Sequence, residues 1–108
     1  DGETAVVCLV SKEYKRSSGV RYWFGFYPSQ YDELQRAQRG LVALGCGSAD
    51  TVLLIAIGDF ASLVAEVHRT FLDKGTLRWH IDLSREQDRL VLRRRKGSLG
   101  IDLTPYLI

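Results

Sequence analysis

Hydrophobic and polar positions follow two periods along this chain. Residues 76–83 (TLRWHIDL) alternate strictly, which predicts a half-buried strand with Leu77, Trp79, Ile81 and Leu83 inward and Thr76, Arg78, His80 and Asp82 outward. Residues 20–27 (VRYWFGFY) form a second extended segment with aromatic side chains at Tyr22, Trp23, Phe24, Phe26 and Tyr27. Val20, Tyr22, Phe24 and Phe26 share the face better suited to a core, leaving Arg21, Trp23, Gly25 and Tyr27 opposite. Helical spacing replaces alternation at Phe60, Leu63, Val64, Val67 and Phe71, which fall at i, i+3, i+4, i+7 and i+11. They predict a helix capped by Asp59, with Arg69 and Lys74 at its C-terminal end and Gly75 as its stop. A shorter helix opens at Pro28, with Ser29, Asp32 and Glu33 supplying its cap and first-turn charge. Tyr31, Leu34 and Ala37 give it an inward stripe, and Gly40 ends it.

The remaining apolar runs read as strands. Residues 4–10 (TAVVCLV) predict a buried strand, followed by a polar hairpin loop over residues 11–19. Residues 41–46 and 51–57 (TVLLIAI) are strands joined across residues 47–50, and the second is apolar enough to be covered on both faces. After a polar turn at 84–88 come residues 89–96 (RLVLRRRK), a turn at 97–100, and a last strand at 101–103 halted by Pro105. The order is ββαββαβββ: an α+β fold with a curved, mostly antiparallel sheet of pseudo-barrel type and two helices. A length of 108 residues predicts one domain over 1–108. The acidic opening and abrupt entry into a strand read as a fragment of a longer protein.

Composition narrows the classes. Hydrophobic residues make up 45% and charged residues 26%, the mixture of a folded domain rather than a disordered segment. The longest apolar run, residues 52–57, is too short to span a bilayer, and no signal-like segment opens the chain, so no membrane partner and a cytoplasmic setting are expected. Cys8 and Cys46 sit in apolar strands without a CxxC or a Cys/His cluster, which predicts buried reduced thiols, no metal and no cofactor. Net charge is only +2, with a pI near 8.7, so distribution matters more than total. A hairpin register placing Leu83 opposite Leu90 would set His80 against Arg93 and Arg78 against Arg95. The outward face then gathers Arg78, His80, Arg89, Arg93 and Arg95, with Lys96 at the end of the basic run and Asp82 as the one relief. Like charges directly opposed are destabilising, and a phosphate backbone would offset them. The same side chains also suit a face that splays into water.

Trp23 is the second candidate. With Arg21 and Tyr27 on its face and a gap at Gly25, it has what stacking on a base requires. A strand buried on both faces would use the same tryptophan as core. Other constellations are thinner. Residues 44–48 (LGCGS) lack the lysine and following helix of a phosphate loop and read as a tight turn. Cys46 with His68 or His80 would make a thiol and base, without a local motif. Helical register makes His68 a surface residue. Asp50 and Asp59 have no partner spacing, and no nuclease pattern is present, so no catalytic residue is expected.

The strings Tyr22-Trp23-Phe24-Gly25-Phe26, Leu44-Gly45-Cys46-Gly47-Ser48, Trp79-His80-Ile81 and Ile101-Asp102-Leu103-Thr104-Pro105-Tyr106 resemble a small bacterial module associated with DNA restriction and modification proteins. The element order is also similar to PUA-like pseudo-barrels, several of which read modified bases. The resemblance implies a non-catalytic reader of DNA, ahead of RNA, using a basic hairpin and an aromatic pocket. The alternative is a protein-interaction or dimerisation domain using Trp23 and Tyr27 as an apolar patch, in a homo-oligomer or a larger parent protein. A small enzyme built on Cys46 or His80 is the third class.

Overall fold

The structure is a computed structural model and describes residues 3–17, 19–48, 50–72, 75–94 and 99–108. Along the chain run β1 (Thr4–Ser11), β2 (Tyr14–Arg16), β3 (Gly19–Phe26), α1 (Pro28–Arg36), β4 (Arg39–Cys46) and β5 (Val52–Ala56). They are followed by α2 (Ile57–Val64), β6 (Arg69–Phe71), β7 (Leu77–Glu86), β8 (Arg89–Leu92), β9 (Ile101–Asp102) and a 3-10 turn (Thr104–Tyr106). The α+β class, the two helices and the mostly antiparallel pairing are as the sequence predicts. The sheet is not closed into a barrel. It is divided in two: a three-stranded sheet ordered β1-β4-β5, and a six-stranded one ordered β2-β3-β7-β8-β9 with β6 also on β7. No helix among the described residues is long and apolar enough to cross a membrane.

The core lies between the sheets. Tyr22, Phe24, Phe26, Ile81, Leu83, Leu90 and Leu92 from the large sheet meet Val42, Leu44, Leu53 and Ile55 from the small one. Leu34 of α1 and Phe60, Leu63 and Val64 of α2 complete it. Phe60 packs edge-to-face on Phe26 with ring centroids 4.8 Å apart. The alternation of β3 and β7 therefore sorts inside from outside as predicted.

Several expectations need correction. Residues 4–10 and 20–27 are not hairpin partners: β1 pairs parallel with β4, and the intervening segment supplies β2, which pairs with β3. As the edge of its sheet, β1 is half exposed rather than buried, and Cys8 faces outward. Ala56 of β5 is likewise exposed, so that strand is not covered on both faces. The N-cap of α1 is Tyr27 rather than Ser29, with the Tyr27 amide donating to Gln30 Oε1 at 3.0 Å. The helix ends at Arg36, and Gly40 lies inside β4. There a Cβ would come within 2.5 Å of the Leu34 carbonyl oxygen, so glycine lets strand and helix end approach.

The largest correction is α2, which stops at Val64 instead of continuing to Phe71. Val67 is still buried, but residues 69–71 become β6 and pair with Leu77, Arg78 and Trp79 of β7. That edge of β7 offers unpaired backbone groups, and an Arg-Thr-Phe segment extends readily onto them. Phe71 is consequently 69% exposed, and Gly75 (φ +77°) serves the turn between β6 and β7 rather than a helix end. Lys74, expected at that end, lies outside the described residues.

Candidate nucleic-acid interface

The outer face of the large sheet carries the chemistry. With Tyr22, Phe24 and Phe26 turned inward, Arg21, Trp23 and Gly25 of β3 face out beside Ser84, Asp82 and His80 of β7, their respective cross-strand partners. Tyr14 of β2 lies opposite Arg21 and extends this surface. On the other edge of β7, Arg78 lies opposite Thr70, while the amides of His80 and Arg93 donate to the carbonyls of His68 and Asp82 at 2.9 and 2.8 Å.

The β7–β8 register differs from the expected one by two residues. Leu83 pairs with Leu92 and Arg85 with Leu90, because β7 continues to Glu86 and turns on Gln87 and Asp88. Gln87 adopts φ 59°, in the left-handed region that tight hairpins use. A two-residue displacement keeps every side chain on its predicted face but changes its neighbours. Arg93 thus comes beside Asp82 instead of His80. Arg95 and Lys96, with the expected turn at Gly97 and Ser98, lie outside the described residues.

Trp23 is 37% exposed and lies over Gly25. A Cβ at position 25 would sit 3.2 Å from both Trp23 Cη2 and Arg78 Cδ, so the glycine provides the recess in which these side chains rest. The Arg78 guanidinium carbon is 5.3 Å from the indole centroid, a cation–π contact, and Arg78 Nε is buried without a hydrogen-bond partner among the described residues. The indole Nε1 donates to His80 Nδ1 at 3.1 Å. His80 must then carry its neutral-form proton on Nε2, which lies 2.7 Å from Thr70 Oγ1 and donates to it. Burial pushes the His80 pKa down. The charges of Arg78 and His68 act in the same direction, and Asp82 opposes them.

Two depressions flank the tryptophan. One, of about 310 Å³, is lined by Tyr14, Arg16, Arg21, Trp23 and Asp82. The other, of about 280 Å³, is lined by Trp23, His68, His80, Asp82, Arg93 and Arg94. Trp23 and Asp82 are the wall they share. Burial raises the Asp82 pKa, against the opposing pull of Arg21, His80 and Arg16. Arg21 Nη1 is 3.8 Å from its carboxylate. Arg94 is held by Glu66 at 2.8 Å, whereas Arg16 lies over the Tyr14 ring at 5.8 Å.

The fold thus gathers Arg21, Trp23, Arg78, His80 and Arg93 on one surface. Tyr27 and Arg89 stand apart from it. Tyr27 caps α1 and lines neither depression, and Arg89 pairs with Glu86 at the far end of the hairpin, beside Arg85 and Asp88. Tyr14, Arg16 and His68 join the surface unforeseen. The first two belong to a three-residue strand too short to show a period, and the third was assigned to a longer helix. His68 stands with its ring centroid 5.3 Å from that of His80.

Cys46 is in the core, far in character from a nucleophile: burial pushes its thiol up to about 11, so it is protonated at neutral pH. It also lies on the face of the small sheet opposite Cys8. Among the described residues no group of three His, Cys, Asp or Glu side chains could hold a metal ion. No protein-family model, curated protein or solved structure matches this chain.

Proposed function

We propose that this domain binds nucleic acid on the outer face of its larger sheet, Trp23 stacking on an unpaired base while Arg16 and Arg93 meet flanking phosphates. The observation that carries this reading is the half-exposed tryptophan between two depressions whose rims are set with arginine. An open strand surface with an aromatic platform and guanidinium groups suits a single strand or an extruded base, and it reads no duplex groove. Stacking needs a flat ring held in place, and Gly25, Arg78 and His80 hold this one. In its finer form the reading is the one the sequence resemblance implies, a module that examines modified bases in DNA.

Substitution separates the two contributions. Trp23→Ala should weaken binding by roughly 1–3 kcal/mol and leave its salt dependence nearly unchanged. Arg16→Ala and Arg93→Ala should each lower the slope of log K against log salt by about 0.7–0.9. Folded variants that leave both affinity and slope unaltered would refute the assignment.

A second reading, self-association, is favoured by a different surface. Beyond Thr4 and Arg39, which lie at one end of the same face, the outward residues of the small sheet are Val6, Cys8 and Val10, then Leu41, Ala43 and Gly45, then Val52, Leu54 and Ala56, none of them charged. Val6 and Val10 are 47% and 78% exposed. Edge strand β1 pairs with β4 over eight residues and carries no charge, proline or bulge to blunt it. A second copy supplies a strand of the same length and pattern, which would continue the sheet through β1. Sedimentation should show a dimer that Val10→Lys dissociates. A monomer at high concentration would dismiss this reading.

A further inference from the structure

We infer that the depression lined by Tyr14, Arg16, Arg21, Trp23 and Asp82 reads guanine in unpaired nucleic acid, with Asp82 and Arg21 as the groups that recognise the base. This inference rests on the binding function proposed above and adds its specificity. Tyr14 and Trp23 are 38% and 37% exposed. Tyr14 lies opposite Arg21 and Trp23 is two residues further along β3, so the two aromatic residues border the depression from diagonal positions. Arg78 packs on the Trp23 ring and lines neither depression, so the side of the indole that borders the depression is left to a ligand.

Asp82 and Arg21 stand side by side on the wall of this space. At 3.8 Å they are close enough to attract but beyond a hydrogen bond, so a base edge can engage both. A carboxylate offers two acceptor oxygens and a guanidinium offers donors. Together they present acceptor, acceptor, donor, the array with which cytosine meets guanine. Guanine answers with N2–H, N1–H and O6. Adenine and cytosine each turn a bare ring nitrogen toward the carboxylate, and uracil and thymine offer one N–H flanked by two carbonyls. Each of these sets at least one acceptor against the carboxylate and is penalised. A space of about 310 Å³ is at the lower end of ligand pockets and suits a single base. Arg16 at its rim can take the adjoining phosphate.

The test is a fluorescence-anisotropy series with the intact chain and labelled thymine octamers carrying one central guanine, inosine, adenine or cytosine. A ribonucleotide version of each is run in parallel. The guanine oligomer should bind about 5- to 150-fold tighter than the others, the range one bidentate base contact supplies. Inosine, which lacks the N2 amino group, should lose most of that margin. Asp82→Asn should level the series, weakening the guanine octamer and relieving the penalty on the others. The inosine comparison uses the unaltered chain, so it does not depend on how the variant folds. Equal binding of all octamers, or a guanine preference that survives Asp82→Asn, would overturn the inference and leave the binding function standing. Binding of none would overturn both.

Discussion

Phe60 and Phe71 share a helical stripe in the sequence but occupy opposite environments in the fold, and truncating each gives a sharp contrast. Phe60 is 1% exposed and packs edge-to-face on Phe26, in a core closed on both sides by sheets. Phe60→Ala removes a ring that neighbours on β3 and β5 cannot replace, at a cost of about 3–5 kcal/mol. A domain of this size has roughly 5–15 kcal/mol in all, so the variant approaches the limit of folding. At roughly 4–8 °C per kcal/mol, a loss of 4 kcal/mol lowers Tm by roughly 15–30 °C. Phe71 is 69% exposed on the short strand β6, and Phe71→Ala should stay within about 0.5 kcal/mol of the parent. Urea unfolding followed by far-ultraviolet circular dichroism measures both. The m-value should be unchanged in each, since neither change alters the surface exposed on unfolding. Similar large losses for both would mean that α2 continues through Phe71, and the β6–β7 pairing would be wrong.

Two further outcomes follow from the titrating groups. His80 has a folded pKa below its unfolded value near 6.5, so the stability it contributes is full above that value and is lost as pH falls toward the folded pKa. The urea midpoint should therefore drop below pH 6.5, and His80→Gln should flatten the profile; an unchanged profile in the variant would contradict a half-buried imidazole held neutral by its hydrogen bonds. Of the thiols, Cys8 should react with a disulfide reagent within seconds at pH 8, whereas Cys46, protonated and in the core, should react only on unfolding. Equal rates for the two would place Cys46 outside the core.

Strands with a clean period were legible from residues alone. The alternation of β3 and β7 identified Trp23 and Arg21 as outward, because a strand that faces a core on one side cannot hide its period. The β7–β8 register was not legible, since Leu90 and Leu92 offer the same apolar face at either setting. Only the extent of β7 past Ser84 decides between them. Phe71 misled because helical spacing records which residues are apolar and not whether a neighbouring strand has an open edge. The division into two sheets was hidden for a related reason. Strand β1 reaches β4 by a parallel crossover, and nothing in residues 4–10 distinguishes that pairing from a hairpin with β3. Tyr14 and Arg16 entered the site through a strand too short to leave a pattern.

Binding on this face requires that Trp23 meet a base. The direct measurement is a tryptophan fluorescence titration of the Trp79→Phe variant, in which Trp23 is the one remaining indole, with unlabelled single-stranded DNA at low and moderate salt. Stacking on Trp23 should give saturable quenching, weaker at higher salt as arginine–phosphate contacts are screened. A signal that does not change at any DNA or RNA concentration in low salt, for plain and base-modified strands alike, in a variant whose fold is intact, would contradict it.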